Sequence, residues 1–300
     1  MIGIVTVLYN SSKVLVDFFQ SLEEQTYRDF VLYVVDNNSP DDSLLIANQL
    51  SKEVSFKSII LPQEENWGVA KGNNIGIKKA LADGCDYVLL SNNDVVLEKD
   101  CIEQLVQGLL SMNVSLAVPK IYYYGTDRII WCAGGFFRIS HCDNPHRGKR
   151  IKDEGQYNKM CLTDYSPTCF MLIKKEVFER VGLMDENFFV YYDDADFVWR
   201  ALRVHNERMA YIPLSVLWHK ESYSTGGTKS DFYIHYYSRN SVFFARKHYN
   251  IFQKSLFFSY LVHQYILRSR SCFNNEQRLL YKRSCIEGWM YYNEKKYDYR

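Results

Sequence analysis

The chain has eight cysteines, at 85, 101, 132, 142, 161, 169, 272 and 285, but no CxxC pair, so none has the spacing of a zinc site. It has no GxGxxG and no GxxxxGK[ST], which disfavours a dinucleotide dehydrogenase and a P-loop NTPase. It has no surplus of one charge either. With 36 Lys/Arg against 35 Asp/Glu the net charge is +1, which makes no electrostatic case for a nucleic-acid partner. The start, MIGIVTVLYN, lacks the basic region and long apolar run of a signal peptide and reads as a strand from its second residue. A cytosolic protein with reduced thiols is the expectation. The most apolar late run, SLFFSYLVHQYIL at 255–267, is shorter than the ~20 residues that span a bilayer, and it contains His263 and Gln264. It can lie on a membrane or pack in a helical bundle, but it should not cross. No internal repeat and no low-complexity segment is present.

What the chain does have is a globular 47% of hydrophobic residues and many aromatics, 24 of them Tyr. Such side chains suit core edges, ligand-stacking surfaces and membrane interfaces. The near-zero charge hides an asymmetry: residues 231–300 hold 12 Lys/Arg and 5 Asp/Glu, a local +7, leaving −6 for residues 1–230. A basic, aromatic C-terminal part on an acidic body fits either an anionic surface as partner or a solvated helical appendage.

The first 118 residues alternate. Apolar runs at 2–8, 30–35, 55–61, 87–90 and 116–118 read as strands. Between them, Leu15, Phe18, Phe19 and Leu22 follow helical spacing, and further helices are expected at 44–50, 70–81 and 101–110. This β-α-β-α order with continuous apolar strands predicts a mostly parallel sheet covered on both faces. The second half predicts strands within 129–139, at 169–173 and at 209–219, and helices at 174–181, 193–205, 231–248 and much of 251–293. The polar stretch 141–159 reads as a mobile loop.

In open α/β sheets, ligands bind beyond the C-terminal ends of the strands. Two strands break there in similar form, VLYVV into Asp36-Asn37-Asn38-Ser39 and YVLL into Ser91-Asn92-Asn93-Asp94. Asp and Asn also start ordinary turns, but two such breaks on one rim point to a site. Gly68, Gly72 and Gly76 fall four apart around a helix start with Lys71, where a phosphate could be received. Ala70, Asn73, Asn74 and Ile77 share one face of that helix.

Further on, FFVYYDDADFVWR sets three acids among aromatics. With a helix starting at Asp193, Asp194 shares a face with Phe197, Val198, Ala201 and Leu202, so an inward-facing carboxyl of raised pKa is expected, suited to a base. Asp196 aligns with Trp199, Arg200 and Arg203, and an i,i+4 ion pair with Arg200 is expected. Asp193 is either a helix cap or an acceptor contact. His219 ends the strand SVLWH, and with Asp94 and a substrate diphosphate it could complete a divalent-cation site, Mn²⁺ suiting the imidazole better than Mg²⁺.

Together, IVTVLYNSS, VVDNNSPDDS, ENWGVAKGNNIGIKKA, YVLLSNNDV, FMLIKKEVFERVGLMDENFFVYYDDADFVWR, VLWHKES and HYYSRNSVFFARKH, in that order across residues 2–248, resemble the family-2 inverting glycosyltransferases of GT-A fold. The similar branch is the bacterial rhamnosyl- and galactofuranosyl-transferases of surface polysaccharide assembly. The resemblance implies a GT-A domain at 1–230, with a nucleotide-binding half at 1–120 and an acceptor and catalytic half at 121–230. A helical C-terminal region would follow at 231–300. It implies that Thr6, Tyr9, Asp36 and Asn38 hold the nucleoside, with Asp36 toward the base. Asn66, Gly68, Lys71 and Asn74 would line the sugar-nucleotide side. Asn92-Asn93-Asp94 stands at the metal-binding DXD position, with Asn in place of the first acid. Asp194 matches the catalytic base, His219 a metal ligand of some members, and Arg239 a phosphate contact. Asp193, Tyr192 and Trp218 are the expected acceptor side.

The implied chemistry is a single displacement on a dTDP-rhamnose or UDP-sugar type donor, with a saccharide or lipid-linked saccharide acceptor and a divalent cation. The protein would be cytoplasmic and peripheral at the inner face of the membrane through 231–300, a surface also compatible with self-association. Two other classes compete. Asn92 would suit a non-catalytic sugar-nucleotide- or polysaccharide-binding subunit, but Asp36, Asp94, Asp194 and His219 together argue against it. A nucleotidyltransferase would need a glycine-rich triphosphate loop near the first strand, and TVLYNSSKV has no glycine.

Overall fold

A computed structural model describes residues 1–220, 230–268 and 273–294. Ten strands form one sheet: β1 (Ile2–Leu8), β2 (Phe30–Asp36), β3 (Lys57–Pro62), β4 (Tyr87–Ser91), β5 (Val95–Leu97), β6 (Leu116–Tyr123), β7 (Ile130–Cys132), β8 (Cys161–Leu162), β9 (Phe170–Lys174) and β10 (Met209–His219). The order is β3-β2-β1-β4-β9-β6-β10-β5, with β7 on β6 and β8 on β10. β3, β2, β1 and β4 run parallel, β10 runs parallel to β6, and β9 lies antiparallel between β4 and β6. The mostly parallel sheet is therefore present, with one reversed strand in its middle.

β1 and β2 are buried almost throughout, as strands covered on both faces must be. α1 (Leu15–Glu23) and α4 (Cys101–Ser111) bury Leu15, Phe18, Phe19, Leu22, Leu105 and Leu109 in the core with Ile4, Leu32 and Leu89. α2 (Ser43–Glu53) is entered through an Asp41 carboxylate that accepts from the Ser43 amide at 3.2 Å. α3 (Gly68–Ala82) packs on β1 where its glycines leave room, since a Cβ at Gly76 would sit 2.3 Å from Val5 Cγ1. α5 (Lys175–Val181) follows β9, and α6 (Asp193–Trp199) runs on as a π-helical segment at Arg200–Val204, so the helical stretch matches the expected 193–205 to within one residue.

The stretch expected to be a mobile loop is fastened. Ile129 bridges Lys152, Gly135 bridges His146, and the buried Lys120 ammonium donates to Asp153 at 2.7 Å and Asn158 at 2.5 Å. These tertiary ties override the local polarity that suggested mobility.

The chain forms two compact units. The first contains the sheet. The second holds α7 (Asp231–His248), α8 (Ile251–His263) with a π-turn at Gln264–Arg268, and α9 (Asn275–Glu294). Residues 137–145 and 190–192, expected in the sheet domain, group with these helices. α7 is capped by Ser230 and α8 by an Asn250/Gln253 capping box. Gly288 brings α9 against α7, where any Cβ would meet the Arg239 carbonyl at 2.1 Å. Among the described residues, no helix is long and apolar enough to cross a membrane.

Candidate active site

The C-terminal ends of β1, β2, β4, β6 and β10 share one rim of the sheet. At the end of β2, Asp36 is buried. Its Oδ2 accepts from the Ser39 amide at 3.3 Å, while Oδ1 has no hydrogen-bond partner among the described residues. Asn37 donates to the Gly68 carbonyl at 2.9 Å and leaves its own Oδ1 unpartnered. Buried polar atoms of this kind are costly unless something else satisfies them, so this end of the rim is prepared for a polar ligand. Asn38 is exposed, in the left-handed region at φ 55. Tyr9 is exposed beside it in the sheet order, whereas Thr6 is wholly buried and meets the Asn93 amide at 3.5 Å.

The α3 entrance is tied to the chain that precedes α6. Asn66 Oδ1 accepts from the Gly68 amide at 2.9 Å, and Val69 N donates to the Phe189 carbonyl at 2.7 Å. Gly68, at φ 77, has no alternative: a Cβ would lie 2.3 Å from that carbonyl. Asn74 spends its amide inward. It donates to the Met184 carbonyl and the Glu186 carboxylate, both at 2.9 Å, and accepts from the Met184 amide at 3.0 Å. Lys71 lies over the Trp67 ring, 2.8 Å from its centroid.

At the end of β4 the three polar residues diverge. Asn92 is exposed, and Asn93 donates to the Val7 carbonyl at 2.8 Å. Asp94 meets His219, because β5 pairs Val95 with His219 and the Lys220 amide donates to the Asp94 carbonyl at 2.8 Å. His219 Nε2 comes within 3.2 Å of Asp94 Oδ1 but not in hydrogen-bonding alignment. Both atoms, and His219 Nδ1, are buried and have no hydrogen-bond partner among the described residues. Burial pushes the Asp94 carboxyl up, but the adjacent His219 and Asn92 outweigh it and hold Asp94 below the usual carboxylate range. Among the described residues, no three His, Cys, Asp or Glu gather as a metal cluster. Trp218 packs on Tyr122 and, by strand alternation, faces away from His219.

The three acids of α6 separate. Asp196 is 0% exposed and paired with Arg200 at 2.8 Å. Arg200 also donates to the Val181 and Leu183 carbonyls. The ion pair is the expected one, but it is buried rather than on a polar face. Asp193 is 5% exposed and Asp194 only partly covered, so Asp194 is the least enclosed of the three, not the most inward. Burial, then the Asp194 charge, raises the Asp193 carboxyl far above the usual range. Burial also raises Asp194, against the pull of Tyr165 and of the Ala195 amide. Tyr165 donates to Asp194 Oδ2 at 2.5 Å and Ala195 N to Oδ1 at 2.7 Å.

An aromatic series joins the two acid centres. Trp131 lies 4.5 Å from the His219 ring and 4.6 Å from that of His146, and His146 stacks on Tyr165 at 6.2 Å. Burial, then Lys149, lowers His146 to about 4, so it is neutral at physiological pH. Burial pushes the Cys169 thiol up, with Cys132, Asp94 and Asp194 adding to it. The structure thus brings Asp36, Asn92, Asn93, Asp94, His219 and Asp194 to one rim of the first unit.

Tyr192 and Arg239 belong to the second unit. Tyr191 and Tyr192 adopt φ 63 and 66 in succession, a rare backbone for bulky residues. Asn240 holds this pair by donating to the Val190 and Tyr191 carbonyls at 2.8 and 2.9 Å, and the Tyr192 hydroxyl donates to the Cys142 carbonyl. Arg239 is buried with Glu287 at 3.1 Å and lies over the Tyr291 ring.

Sequence reasoning missed Asn37, Trp131, His146 and Tyr165. Asn37 sits next to the predicted Asn38, and strand alternation from Asp36 could have raised it. The other three lie in stretches without periodicity, and no local signal marks them.

Comparison with known proteins fits this geometry. A family model described as Glycosyl transferase family 2 matches residues 3–182. Glycosyltransferase GlyG of Streptococcus pneumoniae serotype 4 is 26% identical over 184 residues, 60% of this chain and 59% of the relative. The dTDP-rhamnosyl transferase RfbF of Shigella flexneri is 29% identical over 179 residues, 56% of this chain and 53% of the relative. The chain therefore spans less than two thirds of these relatives. GalNAc-T7, solved with UDP, GalNAc and Mn2+, shares the fold at a TM-score of 0.68 and 14% identity, covering 98% of this chain and 56% of that one. Residues 1–349 of S. aureus TarS, solved in complex with UDP-GlcNAc, do so at 0.58 and 14%, covering 94% and 79%.

Proposed function

Because this chain belongs to glycosyl transferase family 2, we propose that it transfers a sugar from a nucleoside-diphosphate donor to a hydroxyl of a saccharide or lipid-linked saccharide, inverting the anomeric carbon. The carrying observation is Asp194, a carboxyl group held by two donors next to Asp193, whose carboxyl is raised further by burial. Asp194 takes the acceptor proton as the acceptor oxygen bonds to the anomeric carbon. The bond from that carbon to the diphosphate breaks on the opposite side, and the nucleoside diphosphate leaves with the electron pair.

Asp36 and Asn37, with their unpartnered oxygens, would receive the nucleoside, with Tyr9 and Asn38 at its edge. Asn66, Gly68 and Lys71 lie on the sugar-nucleotide side, with Asn92 and Asn93 at the end of β4. Thr6 and Asn74 support the neighbouring backbone and side chains from within. Arg239 would have to leave Glu287 to reach a phosphate, so it is assigned no contact. Asp193 and Trp218 remain the proposed acceptor side of the first unit, and Tyr192, which belongs to the second, is assigned no contact.

Asp94 and His219 fit a divalent cation, since a carboxylate oxygen and an imidazole converge with buried, unsatisfied atoms. When bound, Mn²⁺ or Mg²⁺ would supply positive charge to the leaving diphosphate. A dTDP-rhamnosyl transferase among the relatives and a UDP-GlcNAc complex among the structural neighbours support a dTDP-rhamnose or UDP-sugar type donor; the proposed role is in bacterial surface polysaccharide synthesis.

On α9, Leu279, Ile286 and Met290 are exposed beside Lys282 and Arg283, a pattern that suits an anionic membrane surface. Such contact would place the protein peripherally at the cytoplasmic face. Sedimentation with phosphatidylglycerol vesicles at low salt should carry the protein down; self-association without vesicle binding would refute it. The transfer itself is tested by a panel of sugar nucleotides with Mn²⁺, read as binding by thermal shift and as nucleoside diphosphate release. One donor should stand out, and no binding to any pyrimidine sugar nucleotide would sink the proposal.

A further inference from the structure

The chain before β9 carries a tyrosine that the donor, metal and base assignments leave unused. Tyr165 is buried and fixed on both sides of its backbone: its amide donates to the Gly135 carbonyl at 3.1 Å, and its carbonyl accepts from Thr163 Oγ1 at 3.1 Å. Thr163 Oγ1 in turn accepts from the Gly135 amide at 3.0 Å, closing a small network. The ring stacks on His146. A phenol anchored in this way has little freedom to follow a moving partner, and its hydroxyl ends on Asp194 Oδ2.

We infer that Tyr165 is the positioning residue of the proposed base, its hydroxyl holding the Asp194 carboxylate in a single orientation toward the acceptor. This rests on the reading of Asp194 as base. With Ala195 N on Oδ1 and Tyr165 on Oδ2, each carboxylate oxygen has one donor and keeps a free lone pair for the incoming proton. The arrangement also sets the two adjacent carboxyls apart, since the donors on Asp194 pull it down against burial. Asp193 has no comparable side-chain donor acting on it, and it is the more strongly raised of the two. The other charged and titratable groups around the pair do not undo this. Asp196 on the same helix is neutralised by Arg200, Cys169 and Cys132 are thiols pushed up by burial, and His146 behind Tyr165 is neutral. The tyrosine itself stays a donor, because burial and Asp194 raise its phenol well above the ordinary value.

The test is a titration of the full-length protein labelled with ¹³C at the aspartate carboxyl carbons, with Asp194→Asn assigning the Asp194 signal. Tyr165→Phe keeps the ring and its stacking and removes only the hydroxyl. The Asp194 midpoint should rise by about one unit, and the acid limb of the pH–rate profile should move up with it, while the donor KM is unchanged. 3-Fluorotyrosine at 165, a stronger donor, should shift the midpoint the opposite way, a readout that survives if Tyr165→Phe fails to fold. An Asp194 midpoint unmoved by either replacement overturns the inference. Full turnover by Asp194→Asn would instead overturn the base assignment beneath it, so the two failures are distinguishable.

Discussion

The end of β4 and the start of α6 each place a buried aspartate on the same rim, yet the two are held in opposite electrostatic conditions. Asp94 faces an imidazole and lies below the usual carboxylate range; Asp193, beside the Asp194 charge, and Asp194, against the pull of Tyr165 and the Ala195 amide, lie above it. Burial pushes all of them up; the imidazole reverses it at Asp94, the Asp194 charge adds to it at Asp193, and the donors on Asp194 only reduce it. A carboxylate kept charged suits a cation or its diphosphate, and one with a raised affinity for protons suits proton transfer. In the proposed mechanism one residue type thereby serves two tasks on one sheet edge.

The hardest test of this contrast is Asp194→Asn. Transfer should fall roughly a thousandfold in product turnover, with sugar-nucleotide binding by calorimetry retained. The third acid of α6 extends the comparison, because Asp196 has the partner that Asp193 lacks. Arg200→Met would leave Asp196 buried and uncompensated and should cost about 3–5 kcal/mol in denaturant melts. Asp94→Asn should lower activity roughly 10- to 100-fold and weaken its response to added Mn²⁺, whereas Asp194→Asn should leave cation binding intact. If both variants respond alike to Mn²⁺, the division of labour fails.

The smallest effect is the subtlest in sign. A carboxyl raised by folding stabilises the protein below the unfolded value near 3.8 and loses that contribution as the pH rises through the folded value. Asp193→Asn should therefore leave the melting temperature unchanged near pH 4 and raise stability by about 1 kcal/mol at pH 7. An equal change at both pH values would mean that Asp193 is not the proton-retaining partner.

The parallel half of the fold was legible because strands covered on both faces must be continuously apolar, as β1 and β2 are. The reversal of β9 was not legible, since FMLIK reads the same whichever way its neighbours run. β5 has three residues, too few for any period to show. In the site, the Asp196–Arg200 pair followed from helical spacing alone, but its burial depends on where Val181 and Leu183 carry their carbonyls. The spacing argument also turned Asp194 toward the interior or a pocket, where its carboxyl meets the buried Tyr165, while packing encloses Asp193 and Asp196 more fully. Tyr165 reaches Asp194 across 29 positions of sequence, a contact that only the folded chain defines.

The reversed strand has one further consequence. β6 ends and β9 begins on the same edge of the sheet, so the chain between Tyr123 and Phe170 departs and returns at neighbouring points. Loop-closure cost grows only slowly with length, about 0.6 kcal/mol per doubling. A segment mounted in this way can lengthen or shorten between its fixed points, which are β7 on β6, β8 on β10 and the Asp153 and Asn158 partners of Lys120, while the sheet beneath keeps its register. Chimeras that swap it between related enzymes are thus the natural place to look for altered acceptor choice on an unaltered donor platform.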